Sequence, residues 1–265
     1  MLIRAYMKEG KNKMFSYYGK LSTELYDLTK PVGRSINGDI EYYLKRLENV
    51  DGRVLEAGVG SGRCLIPLLE NGFVVDGIDY SPEMLQSCRN RCEERELAPE
   101  LYEMRLENFA LSQQYQSIIM PTGTFCLIES REKAITVLKN FKRHLASGGR
   151  IIIDLLLPYD FKEGEISTEV FSLPNGEGIT LESKSIQINW VKQRTTTLLK
   201  YEKWKKGHLL ETELQELQLS WYGIEEFTLL LKDLGYKNII CSSGYVFGKS
   251  PTAPDEIVTF EAEIG

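Results

Sequence analysis

The sequence predicts an α/β fold: a mostly parallel sheet flanked by helices, interrupted by an antiparallel β insertion. Two observations predict it. Short apolar strands alternate with amphipathic helices between residues 53 and 156, a pattern that implies right-handed β–α–β crossovers and parallel pairing. From 165 to 221, strand-like stretches follow one another with no helix between them. The chain has 265 residues, of which 42% are hydrophobic and 26% charged. That is an ordinary balance for a globule with a sizeable core.

The elements follow in order. Tyr17, Leu21, Leu25 and Leu28 recur at helical spacing, as do Ile40, Tyr43, Leu44 and Leu47, and the Pro31-Val32-Gly33 break separates the two helices. Residues 53–57 read as a short buried strand and 61–70 as a helix stopped by Gly72. Residues 73–79 read as a second strand. Ser81 then caps a helix, with Pro82 at its first position. Residues 117–120 are expected to be a strand, 132–145 a helix stopped by Gly148-Gly149, and 150–156 a further strand. In the insertion, Ile186, Ile188 and Trp190 alternate with polar residues, and Lys206-Gly207-His208 reads as a hairpin turn. A helix over 224–234 ends at Gly235, and two strands close the chain at 236–247 and 257–263. These readings divide the chain into a helical lid (1–50), a main domain (51–160 plus 222–265) and the insertion (161–221), expected to cover a substrate.

Composition narrows the function. Thirty-eight acids stand against 32 bases, a net charge of -6, with a pI near 5.3. A protein that neutralises phosphates is usually basic, so no nucleic-acid partner is expected. No apolar run approaches the ~20 residues of a membrane span. Lys8, Glu9, Lys11 and Lys13 stand where a signal peptide would need an apolar core. Cys64, Cys88, Cys92, Cys126 and Cys241 form no C-x-x-C pair, and Cys88 and Cys92 share a helix face as half a metal site at most. Reduced core thiols, no metal and a cytoplasmic location are the expectations. Of the two histidines, His144 is expected at a surface or helix C-terminus and His208 at a solvated hairpin tip, which leaves no Ser-His-Asp arrangement. Lys203-Trp204-Lys205-Lys206 reads as a solvated hairpin.

The most informative stretch is Glu56-Ala57-Gly58-Val59-Gly60-Ser61-Gly62-Arg63. A buried strand runs into three glycines and then a helix. Glycines permit positive φ and a close backbone approach, and a helix N-terminus offers free N–H groups. Asp79 ends the next strand, where a carboxylate faces the same cleft and can accept from ribose hydroxyls. The spacing is G-x-G-x-G, not the G-x-G-x-x-G usual for dinucleotides.

On these residues the sequence resembles class I S-adenosylmethionine-dependent methyltransferases of the small-molecule type. Glu56-x-Gly58-x-Gly60-x-Gly62 resembles the family's first motif, and Gly77-Ile78-Asp79-Tyr80-Ser81-Pro82-Glu83-Met84-Leu85 its second. Leu106-Glu107-Asn108-Phe109 resembles the segment flanking adenine, and 117–121 the fourth strand. Residues 144–149 resemble the turn before the fifth strand. Tyr18-x-x-Leu21 with Tyr26-Asp27 resembles the N-terminal lid of many members. The resemblance covers roughly 15–156, and more loosely 221–263. It departs at Gln116 and Ser117, where an acid is usual, and at Glu107 in place of aspartate.

The resemblance implies a Rossmann-like seven-stranded sheet and methyl transfer from S-adenosylmethionine to a small-molecule acceptor. Gly58, Gly60, Gly62 and Arg63 would form the loop against the cofactor. Glu56 would take its ammonium and Asp79 the ribose. Tyr80, Met84, Glu107, Asn108 and Phe109 would surround adenine, and Met120 and Pro121 would border the sulfonium. Acceptor contacts are expected from Tyr17, Tyr18, Trp190, Trp221 and Tyr222. No residue is singled out as catalytic, because transfer needs chiefly in-line positioning. A nicotinamide-dependent oxidoreductase and a non-catalytic cofactor-binding or interaction protein remain as alternatives. Two copies could pair through the insertion.

Overall fold

The computed structural model describes residues 15–254 and 256–265. The charged stretch at 8–13 and the first part of the expected lid lie outside them. Two helices come first, α1 (Lys20–Thr29) and α2 (Asp39–Leu47). The large sheet is then built from β1 (Val54–Ala57), α3 (Leu65–Glu70), β2 (Val75–Asp79), α4 (Pro82–Glu93), β3 (Leu101–Glu103), β4 (Tyr115–Met120), α5 (Arg131–His144) and β5 (Leu145–Leu155). An antiparallel excursion follows: β6 (Ile166–Ser172), β7 (Glu177–Asn189), β8 (Arg194–Lys205) and β9 (His208–Ser220). The chain returns through α6 (Ile224–Asp233), β10 (Tyr236–Ser243) and β11 (Val258–Ile264).

The seven-stranded sheet has the order β10-β11-β5-β4-β1-β2-β3. Its strands are parallel except β11, which runs antiparallel to both β10 and β5. Both faces are covered, so its central strands are apolar on both sides. The two-residue period sorts them. Leu55, Ala57, Ile118, Met120, Ile151 and Ile153 face α5 and α6, whereas Val54, Ile119 and Ile152 face α2, α3 and α4. The second sheet is a four-stranded meander, β6-β7-β8-β9. One face packs on α1 through Leu21, Leu25, Ile179 and Tyr201.

Several expectations shift. The helix expected from 61 begins at Leu65, because Gly62 has φ +83° and residues 61–64 form the turn. β3 was not expected. Its three residues are too short for alternation to register. Gly148-Gly149 does not stop α5, which ends at His144 as Leu145 turns extended. The glycines instead lie in β5, where its register against β4 shifts between Tyr115 and Ser117. His144 is not at the surface. Its Nε2 accepts the Leu111 N–H (3.1 Å) and its ring packs 4.3 Å from that of Phe109. His208 sits exposed beside the hairpin turn, as expected. All five cysteines are free. Among the described residues, no helix is long and apolar enough to cross a membrane.

Candidate active site

β1 delivers the glycine loop to the carboxyl end of the sheet. Gly58 (φ +76°) and Gly60 (φ +54°) take conformations that side chains rarely adopt. A Cβ on Gly58 would lie 2.3 Å from Thr124 Cγ2, so the loop passes the 124–127 turn at backbone contact. Asp79, ending β2, accepts the Gly60 N–H on Oδ2 and the Ser81 N–H on Oδ1, each at 2.8 Å. Burial pushes its pKa up, and the backbone donors of Ser81, Gly60 and Tyr80 pull it back. A carboxylate has about four acceptor positions, so two accepted bonds leave room for a pair of hydroxyls.

These residues floor a cavity of about 460 Å³. One wall carries Tyr80, Met84 and the segment 104–107, with the Arg105 guanidinium stacked 3.7 Å over the Tyr80 ring. Met120, Thr124 and residues 127–129 form another. α1 and the residues before it contribute Tyr17, Tyr18 and Tyr26, and β9 contributes Glu216, Leu217 and Gln218.

The α1 wall is fixed from two distant places. Ser81 Oγ accepts the Met84 N–H (3.0 Å), capping α4, and donates to the Tyr18 carbonyl (2.8 Å). Tyr18 is thereby held at φ +45°. α1 has no capping side chain of its own. Glu213 of β9 caps it instead, accepting from Leu21 N and Ser22 Oγ at 2.8 Å each.

Glu56 lies beneath the glycine loop, buried at the end of β1. Its Oε2 has no hydrogen-bond partner. Burial pushes its pKa up to about 8, against the pull of the Arg63 guanidinium and with the push of Asp39 and Asp79. A buried carboxyl left short of a donor, next to a loop stripped of side chains and below a ribose-type acid, fits the ammonium-bearing end of S-adenosylmethionine.

Of the residues expected at the site, Gly58, Gly60, Asp79, Tyr80, Met84, Glu107, Met120, Tyr17 and Tyr18 line the cavity. The others do not. Gly62 supports α4, since a Cβ there would meet Cys88 Sγ at 2.8 Å. The Arg63 guanidinium is spent on a buried ion pair with Asp39 and on the Arg34 carbonyl (2.8 Å). Asn108 is off the wall, and Phe109 points into the core against Phe141 and His144. The Pro121 carbonyl accepts Thr124 Oγ1 (3.0 Å), closing the turn from behind. Trp190 is 70% exposed and packs edge-on against Trp221. Tyr222 is buried between Phe125 and Phe227. The residues that the sequence reading missed are Tyr26, Met104, Arg105, Leu106, Thr124, Leu127, Ile128, Glu129 and the β9 trio. Only Tyr26 and Leu106 carried a signal, the first as part of the lid-like segment and the second as part of the adenine-flanking one.

The strand order, the glycine loop after β1 and the acid ending β2 are the features on which the chain resembles class I S-adenosylmethionine-dependent methyltransferases. Residues 54–149 match the family model described as a methyltransferase domain, and this stretch holds most of the cavity floor. Over 104 residues the chain is 32% identical to a phosphatidylethanolamine N-methyltransferase of Cereibacter sphaeroides, a match covering 38% of this chain and 49% of that relative. The chain thus spans about half the length of that protein. Among solved structures it is similar to the sugar N-methyltransferase KedS8 from Streptoalloteichus (18% identity, TM-score 0.72, 98% of this chain and 99% of that one). It is also similar to an S-adenosylmethionine-dependent methyltransferase from Clostridium acetobutylicum (15% identity, TM-score 0.71, 91% and 97%).

Proposed function

We propose that the chain transfers a methyl group from S-adenosylmethionine to a small-molecule acceptor held in the 460 Å³ cavity. The observation that carries this is the junction of Gly58, Gly60 and Asp79 at the floor of that cavity, inside the methyltransferase-domain match. The bound cofactor supplies a methyl group already activated on a positive sulfur. The chain's residues then bind and orient. Glu56 takes the ammonium, the side-chain-free loop runs against the methionine part, and Asp79 holds the ribose. Tyr80, Met84, Leu106 and Glu107 enclose the adenine. Met120 and Thr124 border the reacting end, and α1 with β9 forms the acceptor side. Holding nucleophile and methyl in line can alone contribute several kcal/mol.

In this reading the lid (1–50) and the insertion (161–221) cover the substrate over the main domain. The five free thiols fit a reducing cytoplasm. Two copies could associate along β6, the outer strand of the meander, where Ile166 and Val170 are more than half exposed. Light scattering tests that.

The test of function is calorimetric titration with S-adenosylmethionine, its demethylated product and a nicotinamide dinucleotide, on wild type and Asp79→Ala. Binding of the first two with a loss of at least ~10-fold in Asp79→Ala supports the proposal. Binding of the dinucleotide alone, or of none, overturns it.

A further inference from the structure

We infer that the acceptor is an amine, methylated on nitrogen, and that Glu216 of β9 is the carboxylate that recognises it. The inference rests on the methyl-transfer reading above and deepens it. Among the described residues, four acids and one base line the cavity: Asp79, Glu107, Glu129 and Glu216 against Arg105. Three of the acids are already engaged. Asp79 holds two backbone N–H groups. Lys133 lies against both Glu107 (3.7 Å) and Glu129. Arg105 is occupied by the Tyr80 ring. Glu216 is different. Its one hydrogen-bond donor among the described residues is Gln218 Nε2, 2.7 Å from Oε1. No described lysine or arginine comes within salt-bridge distance of it. Arg194 Nη1 donates to Gln218 Oε1 (3.1 Å), so the Gln218 amide is fixed with its N–H toward Glu216. That leaves Oε2 for a ligand. Tyr17, Tyr18 and Tyr26 line the same cavity, and the Tyr26 ring already carries one cation, the Lys30 ammonium at 4.6 Å.

The chemistry points the same way. The bound ammonium first gives up one proton, to Glu216 or to solvent; as the freed nitrogen lone pair forms its bond to the methyl carbon, the carbon–sulfur bond breaks with its electron pair left on sulfur. The positive charge therefore moves from sulfur to nitrogen. A fixed carboxylate beside that nitrogen stabilises charge where it develops, and the proton then leaves the methylated nitrogen for solvent. A hydroxyl acceptor would also need its proton removed, and an aliphatic hydroxyl holds it about as tightly as water does, far more tightly than an ammonium. Among the described residues lining the cavity the only proton acceptors are carboxylates and tyrosines, with no histidine, lysine or cysteine, and a carboxylate is too weak a base to hold a hydroxyl's proton. A carboxylate acceptor would meet the unpaired charge of Glu216 directly.

The test uses protein saturated with the demethylated cofactor, after its binding has been measured separately. 2-Phenylethylamine, 2-phenylethanol and phenylacetate are titrated into wild type, Glu216→Gln and Glu216→Asp. The amine is expected to bind at least ~10-fold tighter than the alcohol, the size of one charge-assisted contact, and phenylacetate weakest. Glu216→Gln should erase the preference and Glu216→Asp keep most of it. Equal or tighter binding of the alcohol or the acid overturns the inference, as does binding of none of the three or an intact preference in Glu216→Gln. Failure of the cofactor titration removes the underlying reading. Failure of the amine preference with that titration intact removes only this inference.

Discussion

Replacing Glu56 with glutamine should stabilise the protein without ligand while weakening its hold on the cofactor. The magnitude follows from the burial of the carboxyl. Its pKa is about 8 in the folded chain, against roughly 4.3 for an unperturbed glutamate. Between those values the native state keeps a proton that the unfolded chain has lost. Stability is therefore full below about pH 4 and falls as pH rises toward 8. At pH 7 the accumulated cost is about 2.7 pH units at 1.36 kcal/mol each, or ~3.5 kcal/mol after the small fraction ionised in the folded chain. Glutamine does not titrate, so the variant should gain up to ~3.5 kcal/mol at pH 7 and only ~1 kcal/mol at pH 5. Urea unfolding of both proteins at the two pH values measures the difference. A second reading comes from calorimetry in buffers of different ionisation enthalpy. Wild type should release close to one proton per cofactor bound near pH 7, because pairing with the ammonium requires the ionised carboxylate, and Glu56→Gln should release none. A variant advantage that does not grow between pH 5 and pH 7 would refute the reasoning.

Other predictions follow from the same geometry. Gly58→Ala forces a Cβ to within 2.3 Å of Thr124 at a positive φ. It should cost ~1–3 kcal/mol and abolish cofactor binding, checked by thermal unfolding with and without the demethylated cofactor. Glu213→Ala leaves the start of α1 uncapped and should cost ~1–2 kcal/mol. The 15–30 segment should then be cut by protease well before the seven-stranded core, and uniform resistance would count against the capping role.

The cofactor floor was legible in the sequence because its parts are local. A strand, three glycines and an acid 17 residues after the last of them specify backbone geometry that any reader of the chain can place. The acceptor wall was not legible, because it is assembled across the chain. Ser16 donates to the Leu214 carbonyl at 2.8 Å, and nothing near either residue announces the other. Phe109 shows a subtler failure. The motif around it was recognised, but Asn140 Nδ2 donates to its carbonyl (2.9 Å) and its ring turns into the core, so Leu106 and Glu107 face the cavity in its place. Trp190 and Tyr222 were singled out for their chemistry. One decorates a turn and the other fills the interior, and burial, which decides between those fates, is a property of the whole fold.

The anchoring of α1 also has a consequence for the order in which the protein is completed. The helix leaves the ribosome before its cap, because the carboxylate that caps it is 192 residues downstream of Leu21. At ~5–20 residues per second, synthesis leaves α1 without that partner for about 10–40 s. An isolated helix of 10 residues is marginal in water. The helix is thus made well before the strand that seats it, and the cavity gains its tyrosine wall only after the meander that receives it has formed.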